Sequence, residues 1–288
     1  MSKQVKIVEM APRDGLQNEK RIIATEAKIE LINLLSACGY EKIEATSFVS
    51  PKWVPQLADA AQVMAGITRK EGVKYTALTP NMRGYEAAVA AGADEVAVFG
   101  SASEGFSKAN INCSIDEAFG RFAPVITRAR TEGMPVRGYV SCVIACPYDG
   151  PTTPEQVAKV TRRLLDMGCY EVSLGDTIGA GTPATTEAML NAVLKTCDAA
   201  QVAGHFHDTG DRALENVAAS LNLGLRVFDS AIGGMGGCPY APGAKGNVST
   251  VAVARLAHSL GYITGLDVDA LEKAERYCHQ LKERNHVL

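Results

Sequence analysis

His205 and His207, one residue apart and followed at once by Asp208, are the residues in this chain best suited to do chemistry. On an extended strand alternate side chains face the same way, so both imidazoles point to one side. Two imidazoles with a carboxylate beside them could hold a divalent metal. A pair of structural histidines at a strand end is the competing reading. Two further features could act on a substrate. Arg13-Asp14-Gly15 follows the first strand-like segment and offers a fixed cation and an anion. Cys238 sits in the glycine-rich run Gly233-Gly234-Met235-Gly236-Gly237-Cys238-Pro239-Tyr240. A thiol there suits a hinged loop better than a core position.

Something must hold these groups. Eight short apolar segments alternate with longer amphipathic ones, and the period predicts strands and helices respectively. The expected strands are Lys6–Glu9, Lys42–Ser47, Lys74–Leu78, Glu95–Phe99, Arg137–Ser141, Glu171–Leu174, Gly204–His207 and Arg226–Ser230. Between them, Leu31, Ile32, Leu35 and Cys38 fall on one helical face, as do Leu214, Val217, Ala218 and Leu221. Thr153-Pro154-Glu155-Gln156 and Thr182-Pro183 read as helix starts. Gly39, Gly92, Gly168 and Gly224 each end a helical pattern a few residues before a strand, as helix-terminating glycines do. The arrangement predicts a (β/α)8 barrel of the TIM type. It forms a single domain over 1–288, with a short C-terminal helical segment at about 265–288. A doubly wound open sheet is the alternative, but it would more naturally carry a glycine-rich dinucleotide turn after its first strand.

The barrel places function. Catalytic groups belong just beyond the strand C-termini. The polar residues expected there are Arg13 and Asp14, Glu44 and Ser47, Asn81, Tyr139, Ser173 and Asp176, and His207 and Asp208. Composition narrows the partners. A net charge of −3 with no basic stripe argues against nucleic acid. No apolar run is long enough to span a bilayer. The N-terminus runs directly into Val5-Lys6-Ile7-Val8 without a signal pattern, so a cytoplasmic location is expected. The 8 cysteines are scattered and are expected to be free thiols. Cys142 and Cys146 lack the second pair that a structural zinc site needs.

Several motifs resemble one family. Arg13-Asp14-Gly15-Leu16-Gln17-Asn18-Glu19, the segment from Glu44 to Gln56, Gly175-Asp176-Thr177-Ile178-Gly179, His205-Phe206-His207-Asp208-Thr209 and Gly236-Gly237-Cys238-Pro239-Tyr240 are similar, in order and spacing, to the 3-hydroxy-3-methylglutaryl-CoA lyases. The first motif and the paired histidines also occur in related isopropylmalate and homocitrate synthases. The Gly-Gly-Cys-Pro-Tyr loop is the lyases' own mark. The resemblance implies a divalent cation, magnesium or manganese, held by Asp14, His205, His207 and Asn247. It implies Arg13 at the thioester oxygen, Cys238 as an acid/base thiol, and Glu44, Tyr139 and Asp176 in support. His205 and Asp14 are both candidates to take the substrate's hydroxyl proton. Gln17, Ser47, Asn110 and Ser173 are candidate contacts to an acyl-CoA substrate, with Asn110 placed in a loop after the fourth strand. A homo-oligomer, dimer or larger, and a place in leucine breakdown and ketone-body formation are further expectations.

Two departures bear on substrate choice. Gly210-Asp211-Arg212 stands where most of the family has Tyr-Gly-Gln, and Val251-Ala252 where many have Glu-Asp. Neither touches the implied ligands. A synthase condensing acetyl-CoA with a 2-oxoacid is the alternative enzyme, and a non-catalytic acyl-CoA-binding barrel the alternative of another class.

Overall fold

A computed structural model describes residues 3–19, 21–236 and 246–284. Among them, eight parallel strands close a barrel: β1 (Lys6–Glu9), β2 (Lys42–Ser47), β3 (Lys74–Leu78), β4 (Glu95–Ser101), β5 (Val136–Ser141), β6 (Glu171–Asp176), β7 (Val202–Phe206) and β8 (Val227–Ser230). Neighbours in sequence are neighbours in space. β1 closes against β8 with Lys6 opposite Val227 and Glu9 opposite Ser230. The fold is therefore the expected (β/α)8 barrel. β4 and β6 run two residues past their expected ends, and β7 starts earlier because its apolar lead-in pairs with β6.

Helices cover the outside: α1 (Thr25–Ser36), α2 (Ala60–Gly66), α3 (Met82–Ala90), α4 (Glu104–Ile111), α5 (Ile115–Glu132), α6 (Pro154–Met167), α7 (Pro183–Val193), α8 (Ala213–Asn222), α9 (Thr250–Ser259) and α10 (Val268–Arg284). The Thr153 and Thr182 side chains accept N–H groups of their first turns, as read from sequence. Gly39, Gly92, Gly168 and Gly224 all adopt positive φ, the left-handed conformation that ends a helix. The C-terminal helical segment is α10. The Tyr277 hydroxyl on α10 donates to the Ala27 carbonyl of α1 at 3.3 Å.

The core has two layers. Outward-facing strand residues such as Ile43, Val98 and Phe228 meet Leu31, Phe122 and Leu164 beneath the helices. Inside the barrel the apolar set is small: Val8, Met10, Leu78, Ala97 and Tyr139. Polar and charged side chains fill much of the rest, an arrangement that only mutual pairing makes tolerable.

Two expectations are corrected. Leu214 is exposed, and the buried stripe of α8 is Ala213, Asn216, Val217, Ser220 and Leu221. Asn216 can be buried because its amide donates to the Gly181 carbonyl at 3.1 Å, and Ser220 because its hydroxyl donates back to the Asn216 carbonyl at 2.7 Å. Asn81 caps α3 by accepting the Gly84 N–H at 3.0 Å. Asn110 lies on α4, not in a loop; the Ser103 cap starts this helix and left-handed Asn112 ends it. The cysteines Cys38, Cys113, Cys142, Cys146, Cys169, Cys197 and Cys278 are free thiols. No helix among the described residues is long and apolar enough to cross a membrane.

Glu9 ends β1 facing the helices and is wholly buried. Its carboxylate accepts the N–H groups of Ala11 and Ile232, both at 2.9 Å, the Tyr40 hydroxyl at 2.5 Å and the Thr250 hydroxyl at 3.0 Å. Burial pushes its pKa up against the pull of these donors. One side chain thus joins the turn after β1, the turn after β8 and the start of α9. Glu9→Ala orphans two buried N–H groups, so it is expected to lower unfolding stability by roughly 2–5 kcal/mol, read as a lower urea midpoint.

Candidate metal centre at the barrel mouth

Each strand end contributes a different part. After β1 the chain makes one wide helical turn, Ala11–Gly15, with the N–H groups of Arg13, Asp14 and Gly15 all directed at the Met10 carbonyl. That turn swings Arg13 and Asp14 over the barrel. Arg13 Nη1 donates to Asp14 Oδ1 at 2.6 Å, and its Nε donates to Glu44 Oε1. Glu44 lies inside β2, one residue before a bulge that shifts the register against β3. It is buried, and its other oxygen accepts the Tyr139 hydroxyl at 2.5 Å. The same hydroxyl accepts from Arg137 Nη1 at 2.9 Å. Glu44, Tyr139 and Ser173 therefore lie within strands and face the barrel interior; they do not follow the strand ends as expected. The reason is parity: each sits an even number of residues from another inward position of its strand.

The histidines come from β7 and the residue after it. His205 Nε2 and His207 Nε2 face each other at 3.3 Å, with Asp14 Oδ2 at 3.9 Å and 3.7 Å from them. These three side chains are the described residues whose donor atoms gather closely enough to share an ion. Asn247 joins them by a short antiparallel contact. The Asp208 N–H donates to the Gly246 carbonyl at 2.7 Å and the Val248 N–H to the Phe206 carbonyl at 3.0 Å, which sets Asn247 opposite His207. The Asn247 amide donates to Asp14 Oδ2 at 2.7 Å and to the Met235 carbonyl at 3.1 Å. Its Oδ1 is buried and unpartnered among the described residues.

That set fits a divalent cation. Two ring nitrogens facing each other beside a carboxylate offer lone pairs that a cation between them would satisfy, and the buried Asn247 Oδ1 is a further unpartnered acceptor among the described residues. Two imidazole nitrogens, a carboxylate and an amide make the kind of mixed nitrogen and oxygen set that takes a divalent cation. Asp208, the carboxylate adjacent in sequence, is not part of the cluster. Its Oδ1 accepts the Ala213 N–H at 3.1 Å at the start of α8, so Asp14 supplies the anion instead.

Electrostatics follow from the pairing. Burial alone would raise the Asp14 carboxyl, yet Arg13 and the two histidines hold it well below its ordinary value. Tyr139 is pushed up by burial and by the Glu44 charge, so it stays a neutral donor. Asp176, at the end of β6, is raised by burial. It accepts the N–H groups of Ala180 at 3.1 Å and Gly181 at 2.7 Å and thereby shapes the loop to α7.

The remaining expected site residues divide. Gln17 is half-buried just beyond the Asp14 turn. Ser47 is buried at the end of β2 with its hydroxyl unpartnered among the described residues. The Ser173 hydroxyl is already committed to Asp229 Oδ2 at 2.7 Å, and Asn110 is exposed on α4. Cys238 lies outside the described residues. At the base of its segment a side chain on Gly246 would come within 2.3 Å of the Gly236 backbone, so only glycine permits this close approach. At Gly210, where the family usually has tyrosine, a Cβ would meet the Gly179 carbonyl oxygen at 2.7 Å. The loop after β7 therefore runs closer to the loop after β6 than a tyrosine would allow.

Sequence reasoning passed over Asp229, Arg137 and Glu171, which lie beneath the Asp14, His205 and His207 cluster. The available signal was the presence of charged residues at inward positions of otherwise apolar strands.

The sequence profile of the HMGL-like family matches residues 4–278. The chain belongs to this family. A mouse protein named 3-hydroxy-3-methylglutaryl-CoA lyase, cytoplasmic, is 56% identical over 95% of this chain and 80% of its own length. The crystal structure of an HMG-CoA lyase from Brucella melitensis superposes with a TM-score of 0.96 at 64% identity, over 97% of this chain and 99% of that one. An HMG-CoA lyase from Acinetobacter baumannii, solved with coenzyme A and 3-methylmalate, superposes with a TM-score of 0.93 at 36% identity, over 98% and 92%.

Because Asp14 is held below its unfolded value of about 3.9, the folded protein binds fewer protons than the unfolded chain in that range. Its stabilising contribution is complete above the unfolded value and fades as pH falls toward the lower folded one. In metal-free protein, Asp14→Asn is expected to narrow the gap between urea midpoints measured at pH 6 and pH 3.

Proposed function

We propose that this chain is a divalent-metal-dependent lyase that cleaves 3-hydroxy-3-methylglutaryl-CoA into acetyl-CoA and acetoacetate. The observation that supports this reading is the meeting of Asp14, His205 and His207 beside the Arg13 guanidinium, with the Asn247 amide donating to Asp14 at their edge. The near-full-length likeness to named lyases favours cleavage over the condensing reaction of the related synthases.

Cleavage requires the tertiary hydroxyl to lose a proton, the C2–C3 bond to break, and its electron pair to pass to C2 and the thioester oxygen. The resulting enolate carbon then takes up a proton. A magnesium or manganese ion held by Asp14, His205, His207 and Asn247 would lower the hydroxyl pKa toward neutrality. Arg13, locked by Glu44 and Asp14, presents a fixed cation to the enolate oxygen without reorganising. Its own pKa is raised, with the neighbouring carboxylates overcoming burial, so it stays charged throughout. Tyr139 and Glu44 hold that guanidinium in place. The candidates to take the hydroxyl's proton are Asp14 and, where its Nε2 is not engaged by the ion, His205. Cys238 delivers a proton to the enolate carbon. Asp176 supports the loop that borders the acyl group. Gln17 and Ser47 are assigned to the acyl portion, Ser173 to the support of the site from below, and Asn110 to the CoA arm. Gly210, Val251 and Ala252 stand where much of the family has larger or charged residues, and they are the positions at which a preference for a different acyl group would arise.

Chelator-treated protein is expected to lose acetoacetate formation and to regain it with magnesium or manganese; full activity in metal-free protein would remove the metal role. Cys238→Ala is expected to lower kcat roughly 10²–10⁴-fold with little change in substrate binding. Near-normal turnover would take Cys238 out of the reaction.

A further inference from the structure

Asp229 is absent from the implied ligand set, yet it is the residue on which His205 rests. The two are register partners on adjacent parallel strands, β8 and β7, and both face the barrel interior. His205 Nδ1 lies 3.1 Å from Asp229 Oδ2. Ser173 donates its hydroxyl to that same oxygen at 2.7 Å, and Arg137 Nη2 stands in ion-pair contact with the other oxygen at 2.8 Å. Arg137 is fixed in turn by Glu171, its register partner on β6, at 2.8 Å. The Tyr139 ring meets the His205 ring edge-on, at 81° and 6.4 Å.

A fully buried carboxylate beside a guanidinium and a hydroxyl donor is ionised, and an ionised carboxylate only accepts. The proton between Asp229 and His205 therefore belongs to Nδ1. That leaves the Nε2 lone pair directed at His207 and Asp14. We propose that Asp229 is a positioning residue for the metal centre: it selects the Nδ1–H tautomer of His205 and fixes the ring plane, while Arg137 and Ser173 hold Asp229 for that task. The proposal rests on the metal-centre reading above. It adds that the affinity of the mouth for its cation is set one layer down, by strands that contribute no ligand or only one.

The test measures Mn²⁺ binding to metal-stripped protein by electron paramagnetic resonance, for the native chain and for Asp229→Asn. The amide keeps the shape but offers N–H where His205 Nδ1 needs an acceptor. The Mn²⁺ dissociation constant is expected to rise about 10–100-fold, with an unchanged far-ultraviolet circular dichroism spectrum. A native-like constant in folded Asp229→Asn overturns the proposal. Because that substitution leaves Arg137 short of a counter-charge and could prevent folding, a second measurement uses the native chain. Long-range ¹H–¹⁵N correlation on ¹⁵N-histidine-labelled, Mg²⁺-loaded protein is expected to show His205 protonated at Nδ1, its signals assigned by their loss in His205→Gln. Protonation at Nε2 overturns the proposal. Native protein that binds no Mn²⁺ would instead defeat the metal reading itself, and the tautomer would still report whether Asp229 directs the ring.

Discussion

Two guanidinium groups buried among carboxylates govern the interior of this barrel. Arg13 lies between Asp14 and Glu44; Arg137 lies between Glu171 and Asp229 and also donates to Tyr139. Tyr139 joins the two halves through Glu44. With His205 on Asp229 and both histidines facing Asp14, the contacts form a circuit that returns to where it began. Buried charge is costly unless each member is paired, and removing one partner strands the others. The circuit therefore admits few alternative arrangements. Arg137 is held below Asp229 on one side and below Tyr139 on the other, so one cation serves both the histidine arm and the arginine arm of the mouth. Burial would raise the Asp229 carboxyl, but Arg137 and His205 keep it well below its usual value.

The outer scaffold performs a related task with neutral donors. Glu9 faces away from the circuit, toward the helices, yet it receives N–H groups from the turn carrying Arg13 and Asp14 and from the turn leading toward Cys238. Thr250, three residues after Asn247, donates to the same carboxylate. The segments that bring Asp14 and Asn247 to the histidines are thus tied behind the strands as well as across the mouth. The local sequence permits this because the wide turn at Ala11–Gly15 and the pinch between Gly236 and Gly246 keep side chains out of the backbone's way.

Much of this organisation is legible in the chain before folding. Strand and helix alternate with clear periods, and the terminating glycines and capping threonines stand where the helices stop and start. Arg13, Asp14, His205, His207 and Asn247 belong to motifs whose residue types suit a metal-assisted reaction. The errors share a cause. Asp208 was the obvious carboxylate because it adjoins His207, but adjacency along a strand places it at the start of α8. Leu214 looked like a core residue because it is apolar, yet α8 buries Asn216, whose amide N–H donates to the Gly181 carbonyl, and Ser220, whose hydroxyl donates within α8. Asp229 and Arg137 read as ordinary strand residues until the register between strands is known.

The sequence by itself determined the repeating unit, the polarity of the mouth and the chemical types of the candidate ligands, since these depend on spacing within one element or one turn. The tertiary structure decided which distant residues meet. Barrel closure sets β1 beside β8 and β8 beside β7, and so brings Asp14, Asp229 and His205 within reach of one another. The short antiparallel contact carries Asn247 to His207. A carboxylate orients an imidazole only at hydrogen-bond distance, and that distance is a property of strand register rather than of position along the chain.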